Sequence, residues 1–164
     1  MKAFRGLSLI AYISFLSFCV GAGGCNNEKQ KLSVFQTFPS GGPVKDLWYE
    51  FPTPFSDSLF SKAVKDYEVS LMVRFNKRFT QRNLRLYLEE NLPDLDTIVA
   101  SIIEIPMFDS SGEPLSNGAY GLYETEFPLR NISSPIEDYS VSFCSPSESA
   151  EGIQAIGLIF SPRI

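Results

Sequence analysis

Nine consecutive residues near the middle of the chain, Tyr67 to Phe75, alternate between apolar and more polar side chains. The apolar members are Tyr67, Val69, Leu71, Val73 and Phe75. Because side chains of a β-strand point alternately to opposite faces, this pattern predicts a strand with one face in a core. Such a strand has to pair within a sheet, and another layer has to cover its apolar face.

Further segments have the composition of strands. They are Leu47–Phe51, Leu84–Leu88, Ile98–Phe108, Tyr139–Phe143 and Ile156–Phe160. We expect Leu84–Leu88 to pair with Tyr67–Phe75 across a polar connection at 76–82. Ile98–Phe108 is apolar on both faces, which predicts a central strand.

Turns separate these segments, and no segment has the period of a long amphipathic helix. Asp109 and Gly112 stand first and fourth in Asp-Ser-Ser-Gly, a pattern typical of a type I turn. The glycine- and aromatic-rich stretch 116–127 predicts an irregular loop or a bulged strand. Short strands with frequent turns favour an all-β fold, an antiparallel β-sandwich of seven or eight strands that is Ig-like or jelly-roll-like.

Residues 1–24 predict a lipoprotein signal peptide. Lys2 and Arg5 make its start positive, Leu7–Val20 is an apolar run, and small residues lead directly into Cys25. A helix over that run spans roughly 21 Å, less than the roughly 30 Å of a bilayer core, so a cleaved signal is favoured over a membrane span. We expect acyl chains on Cys25 to hold the mature protein at a bilayer. The alternative is an ordinary secretory signal cut after residue 22 or 24.

The remaining chain predicts a short tether followed by one domain. Residues 25–31 comprise the lipidated cysteine and a polar tether, and residues 32–164 are long enough for a single β-sandwich. Without Lys2 and Arg5, 12 basic residues remain against 19 acidic ones, a net charge of −7. This charge argues against a nucleic-acid partner and against electrostatic docking on anionic lipid, so the expected anchor is covalent.

The residue types limit the possible chemistry. The chain has no histidine, which excludes Ser-His-Asp and Cys-His catalysis and the usual zinc sites. If Cys19 leaves with the signal and Cys25 is acylated, Cys144 has no intramolecular disulfide partner, and a small residue on a strand is its favoured interpretation. We assign no catalytic residue, metal or cofactor, and we do not expect an enzyme.

Two acidic groups have the residue types of a functional site. They are the pair Glu124 and Glu126, and the group Glu89, Glu90, Asp94 and Asp96. The pair would share one strand face as in a glycoside hydrolase, but nothing beside it indicates a raised pKa. The group lacks the glycine and terminal glutamate of a calcium loop. Solvated carboxylates on a strand and in a turn are therefore favoured.

A basic cluster and an aromatic group are candidates for binding. The basic cluster contains Arg74, Lys77, Arg78, Arg82 and Arg85. It could dock an acidic partner or lipid headgroups, or form a solvated hairpin tip. The aromatic group contains Tyr120, Tyr123 and Phe127. It could stack on sugar rings or on a partner's aromatic side chains, or lie buried at the edge of the sandwich.

Two stretches of the chain resemble the gliding-motility lipoprotein GldH family. The first has Val73-Arg74, then Phe79, then Asn83-Leu84-Arg85-Leu86. The second has Ile105-Pro106-Met107, then Asp109, Gly112, Gly118 and Tyr123. A terminal pattern survives at Gly152-Ile153 and Ile156-Gly157-Leu158. Because Thr80 and Gln81 replace the Pro-Tyr of the family's first turn, the chain resembles a divergent member.

The resemblance implies a non-catalytic, membrane-anchored lipoprotein of the cell envelope, which we place at the outer membrane without assigning its face. It would belong to the machinery of gliding motility and the associated secretion of surface proteins. Its partners would be the bilayer, through Cys25, and other envelope or motility proteins. The alternative function is a carbohydrate-binding envelope lipoprotein.

The possible partner-binding residues are drawn from the basic cluster and from the stretches that resemble the GldH family. They are Arg74, Lys77, Arg78, Asn83, Asp109 and Tyr123. Arg74 and Asp109 could also pair with each other across the sheet, which would make their role structural.

Overall fold

The computed structural model describes residues 31–39, 41–51, 66–92, 97–133, 139–147 and 150–163. Cys25, the predicted signal peptide and residues 26–30 of the tether lie outside the described residues. The described part contains nine strands: β1 (Leu32–Thr37), β2 (Trp48–Glu50), β3 (Tyr67–Asn76), β4 (Asn83–Leu92), β5 (Thr97–Pro106), β6 (Asn117–Ala119), β7 (Leu122–Ile132), β8 (Ser140–Cys144) and β9 (Ile153–Pro162). Within these ranges there is no helix long and apolar enough to span a membrane.

The strands pair as one long hairpin with β4 and β5 at its tip. Further from the tip, β3 pairs with β7, β2 with β8 and β1 with β9, always antiparallel. These pairs fall alternately into two sheets, ordered β1-β9-β3-β7-β6 and β2-β8-β4-β5. A long hairpin whose successive pairs alternate between two sheets is wrapped as a jelly roll. The predicted antiparallel β-sandwich is therefore confirmed, and of its two forms the strand order is that of the jelly roll.

The core lies between the faces that the alternating patterns predicted. Every second residue of β3 from Tyr67 to Phe75 is at most 2% exposed, and Leu84, Leu86 and Leu88 of β4 are at most 1% exposed. Burying one such side chain contributes about 1.5–3 kcal/mol. Cys144 is buried at the end of β8, and burial raises the pKa of its thiol, in agreement with the predicted small strand residue.

The predicted pairing of β4 with β3 is wrong. β3 lies between β7 and β9, whereas β4 lies between β5 and β8 in the other sheet. The connection 76–82 crosses from one sheet to the other, so the two apolar faces meet across the core instead of lying side by side. Alternation specifies which face of a strand is buried, but it does not specify which strand lies beside it.

The prediction of a central strand at Ile98–Phe108 is also wrong. β5 is the last strand of its sheet, and among the described strands it pairs only with β4. Ile105 on its inner face is fully buried, but Ile98 and Ile102 on its outer face are 68% and 64% exposed. Its second apolar face thus points away from the core, and no further layer of described strands covers it.

Two further elements differ from the prediction, which is why nine strands replace the expected seven or eight. β1 was assigned to no element. The segment 116–127 forms β6, a turn and the start of β7. At the turn, Tyr120 and Gly121 have φ values of 56° and 79°, a conformation that glycine adopts at low cost and tyrosine rarely adopts.

An ion pair between a partly exposed arginine and a buried carboxylate joins the two sheets at the end remote from 76–82. Glu90 of β4 is 3% exposed, and Arg130 of β7 donates from Nε and Nη2 to its two carboxylate oxygens, each at 2.7 Å. The Tyr139 hydroxyl donates to Oε2 of the same carboxylate at 2.6 Å. The expected solvated carboxylate is therefore wrong for Glu90, although Glu89 is exposed. Asp94 and Asp96 lie outside the described residues.

Candidate functional site

A pocket of about 580 Å³ opens at the end of the sandwich where β3 connects to β4. Residues between 77 and 82, residues between 108 and 114, and Tyr123 of β7 line it. Tyr123 reaches this end because β7 pairs with β3 in a register that sets it opposite Phe75. The pocket is therefore assembled from three segments that are distant in sequence.

Four aromatic rings form one cluster beneath the pocket, and Phe75 is at its centre. The Phe75 ring lies 5.3 Å from Tyr123, 5.7 Å from Phe108 and 6.0 Å from Phe79, measured between ring centroids. Gly118 leaves room for this packing, since a Cβ built there would lie 2.5 Å from the Tyr123 ring. Such aromatic contacts contribute about 0.5–1.5 kcal/mol per pair beyond area burial, so the apolar wall of the pocket is held firmly.

Asp109 holds the loop that forms the opposite wall. Its Oδ1 accepts hydrogen bonds from the Ser111 hydroxyl at 2.6 Å, from Ser111 N–H at 2.8 Å and from Glu113 N–H at 3.0 Å. The Ser111 hydroxyl and the Glu113 N–H are the main causes that lower the pKa of this carboxyl group. Gly112 has φ 85° and donates to the Asp109 carbonyl, which agrees with the predicted turn.

The 76–82 connection is fixed by similar local bonds. Asn76 accepts the Phe79 N–H at its carbonyl and the Arg78 N–H at its side-chain oxygen. Gly152 packs directly against this turn, since a Cβ built there would lie 2.2 Å from the Phe79 nitrogen. The Arg82 carbonyl accepts the N–H groups of Met107 and Phe108, which ties the connection to the loop after β5.

The basic cluster is largely neutralised. Arg74 pairs with Glu124 at 2.6 Å, Arg78 with Glu151 at 3.8 Å, and Arg85 with Glu104. Within the described ranges, no carboxylate forms an ion pair with the two remaining members, Lys77 and Arg82. Both of them line the pocket. The two members of the cluster that have no ion-pair carboxylate among the described residues therefore both lie at the pocket, whose lining also contains Asp109.

The structure divides the six predicted partner-binding residues into two groups. Lys77, Asp109 and Tyr123 line the pocket together. Arg74, Arg78 and Asn83 do not, and Asn83 lines a separate depression. The pairing of Arg74 with Asp109 is wrong, because Arg74 binds Glu124 and the Asp109 carboxylate is used within its own loop.

The other candidate groups are dispersed or have local roles. Glu124 pairs with Arg74, and Glu126 lies 3.9 Å from Lys31, so both have the role of surface carboxylates. Tyr120 is fully exposed at the β6–β7 turn, whereas Tyr123 and Phe127 pack against the core, so the three rings form no common platform. Among the residues that the structure describes, no three His, Cys, Asp or Glu side chains meet as a metal site.

Sequence reasoning did not select three residues that shape the pocket. Phe79 and Arg82 come from the 76–82 connection, and Phe108 comes from the loop after β5. Arg82 belongs to the basic cluster. It differs from Arg74, Arg78 and Arg85 in that each of those three arginines pairs with a described carboxylate. Since those partners come from β5, β7 and the 150–152 turn, no local sequence signal could have identified it.

A model of the family described as GldH lipoprotein matches residues 35–159, which is most of the chain and includes every segment of the pocket. The chain belongs to the GldH lipoprotein family. This family membership confirms the predicted resemblance and makes the protein a lipoprotein, a class that lipid holds at a membrane. The two stretches that resembled GldH proteins meet at the pocket, where Phe79 stacks with Phe108.

Other comparisons add little to the GldH assignment. No curated protein sequence matches the chain. Among solved structures, the chain is similar to one in "The Structure of Tomato Aspermy Virus by X-Ray Crystallography", with 12% sequence identity, coverage of 88% of this chain and 82% of that chain, and a TM-score of 0.38. That likeness is too low to support an inference about fold or function.

Proposed function

We propose that this GldH-family lipoprotein is anchored in the cell envelope, at the outer membrane, by acyl chains on Cys25. It serves the gliding-motility machinery and the associated secretion of surface proteins as a non-catalytic binding component. Family membership and the residue pattern before Cys25 support the anchor. Confinement of the domain to a membrane surface raises its effective concentration for neighbouring envelope proteins.

The start of β1, which follows the predicted tether, and the pocket lie at opposite ends of the described sheet. The tether enters at β1, where Leu32 pairs with Phe160, and Phe160 pairs with Val69 near the start of β3. The pocket lies beyond Phe75, about 20 Å further along the same sheet at about 3.3 Å per residue. The pocket is therefore at the end of the sheet remote from the residue that the tether precedes, which favours an envelope partner over lipid headgroups.

The observation that carries the binding role is the pair of cations at the pocket that have no ion-pair partner among the described residues. In a chain with net negative charge, Lys77 and Arg82 are the two members of the basic cluster in this position. Electrostatic complementarity at such a place supplies specificity and a faster association rate. Nothing in this arrangement requires a reaction at the pocket.

The anchor is tested by feeding cells a palmitate analogue and separating their membranes. We expect the native protein to carry the label and to sediment with the outer membrane, and Cys25→Ser to lose both properties. A form that keeps its label after Cys25→Ser, or a native protein found equally in both membranes, would contradict this part of the proposal.

The binding role is tested by recovering cross-linked partners from envelopes. We expect the double reversal Lys77→Glu with Arg82→Glu to lower partner recovery. The matched control is Arg78→Glu with Lys31→Glu, which changes the net charge equally outside the pocket. Equal recovery with both pairs of reversals would contradict a role for the pocket.

A further inference from the structure

We infer that the pocket binds an acidic segment of a partner protein, a stretch in which an aspartate or glutamate stands beside an apolar side chain. The inference rests on the proposed binding role and names the chemistry of the partner. It draws on the charge, shape and free hydrogen-bonding groups of the pocket.

The charges select a carboxylate. Lys77 and Arg82 line one pocket without an ion-pair partner among the described residues, while the neighbouring arginines are paired. The lining also contains the carboxylate of Asp109, so its charged side chains are two cations against one anion. An arginine guanidinium presents parallel donors that match the two oxygens of a carboxylate, and a lysine adds a point charge. The chain as a whole carries a net negative charge, so a pocket with more cations than anions in its lining is a distinctive place for an acidic segment.

The shape requires an apolar group beside that carboxylate. A volume of about 580 Å³ is much larger than a carboxylate needs and lies in the usual range for ligand pockets. Phe108 and Tyr123 are partly buried in its wall, with Pro114 beside them. An apolar side chain next to the acid would cover these surfaces and remove them from water.

The backbone groups of the pocket loop favour a side-chain carboxylate over a terminal one. Oδ1 of Asp109 already accepts three hydrogen bonds, and the Ser111 hydroxyl donates one of them. The N–H groups of Ser111, Gly112 and Glu113 are likewise used within the turn, so they form no free nest for a terminal carboxylate. The free charged donors are the two cationic side chains, which suit an acidic side chain.

The test uses the complete lipoprotein in phosphatidylcholine nanodiscs and measures fluorescence anisotropy of a labelled peptide. The peptide carries Glu-Leu-Glu between Gly-Ser spacers and has blocked ends. We expect one matched peptide with Gln for Glu, and another with Gly for Leu, to bind about tenfold more weakly. Lys77→Gln and Arg82→Gln should each weaken binding of the Glu peptide about tenfold, whereas the control Arg78→Gln should change it less than about twofold.

Several results would overturn the inference. Equal binding of the Glu and Gln peptides to the native protein would show that the pocket does not select a carboxylate. This result does not depend on the folding of any variant. Binding of an oligogalacturonate probe in the absence of peptide binding would assign the pocket to an acidic glycan. If the reversals at Lys77 and Arg82 lower partner recovery but the Glu peptide does not bind, the binding role stands and the acidic segment is wrong.

Discussion

Glu90 shows how one residue can fix the relation between two sheets. Its carboxylate is almost fully buried, and such a charge is tolerated only when its oxygens are satisfied. Arg130 and Tyr139, which lie outside β4, donate hydrogen bonds to both of these oxygens. Hydrogen bonding to Glu90 raises the pKa of Arg130, while burial first, and then the bond to Glu90, raises the pKa of Tyr139.

We expect Glu90→Gln to lower the free energy of unfolding by roughly 2–3 kcal/mol, because Arg130 would keep its charge without a counter-ion. Urea denaturation monitored by circular dichroism measures the change. The matched control is Glu89→Gln on the exposed face of the same strand, expected within about 0.5 kcal/mol of the native protein. Similar losses for both variants would show that the buried pair has no special role.

Asp109 gives a pH-dependent prediction at the pocket. Its folded-state pKa is lowered, so its stabilisation of the loop is fully present above the ordinary value of 3.8 and is lost as the pH falls through the lowered pKa. We expect the amide resonances of Ser111 and Glu113 to titrate together with a midpoint below 3.8. A midpoint at or above that value would show that these hydrogen bonds do not hold the carboxylate in solution.

At the scale of the element, β5 is an edge strand that keeps an apolar outer face. It carries a single charged residue, Glu104, which pairs with Arg85, and its register with β4 is free of bulges. Edge strands of natural proteins are usually protected by charges, prolines or bulges, because free backbone groups can pair with another chain. Among the described strands, nothing covers the outer edge of β5.

We expect Ile102→Lys to leave the stability within about 0.5 kcal/mol of the native protein, because this side chain points outwards from the sheet. The same change should slow self-association of the protein, measured by light scattering during incubation at raised concentration. Ile105→Lys on the buried face of the same strand is the contrast, and it should prevent folding. Unchanged self-association with Ile102→Lys would indicate that the edge is covered in solution.

At the scale of the whole molecule, the nested hairpin determines where the tether and the pocket lie. β1 starts beside the Tyr67 end of β3, and the 76–82 connection leaves from the other end. With Cys25 acylated as proposed, a tether of six residues would reach at most about 20 Å and would keep the β1 end of the domain close to the bilayer. The proposed anchor thus predicts a membrane-proximal β1 end and a membrane-distal pocket end.

This polarity can be measured with two fluorophore positions. We expect a label at Glu68→Cys, near the tether, to be quenched by brominated lipids more strongly than a label at Ser110→Cys, on the pocket loop. Both positions are exposed, whereas Cys144 is buried and should not react. Equal quenching would mean that the domain lies on its side against the membrane.

The sequence by itself determined the faces of strands and the chemistry of a turn. The alternation of Tyr67 to Phe75 and of Leu84 to Leu88 specified the buried residues, since period two fixes which side chains share a face. Asp109 and Gly112 specified their turn, since its hydrogen bonds join residues at most four apart. Each of these is a local property, available without knowledge of the fold.

Only the tertiary structure decided which strands are neighbours and which cations form ion pairs with the described carboxylates. Nothing in the composition of β3 distinguishes β4 from β7 or β9 as its partner, because all of them present suitable apolar faces. Lys77 and Arg82 differ from Arg74 and Arg85 only through Glu124 and Glu104, which come from β7 and β5. The charge of the pocket is thus set by long-range strand pairing, and this pairing depends on the packing of all nine strands together.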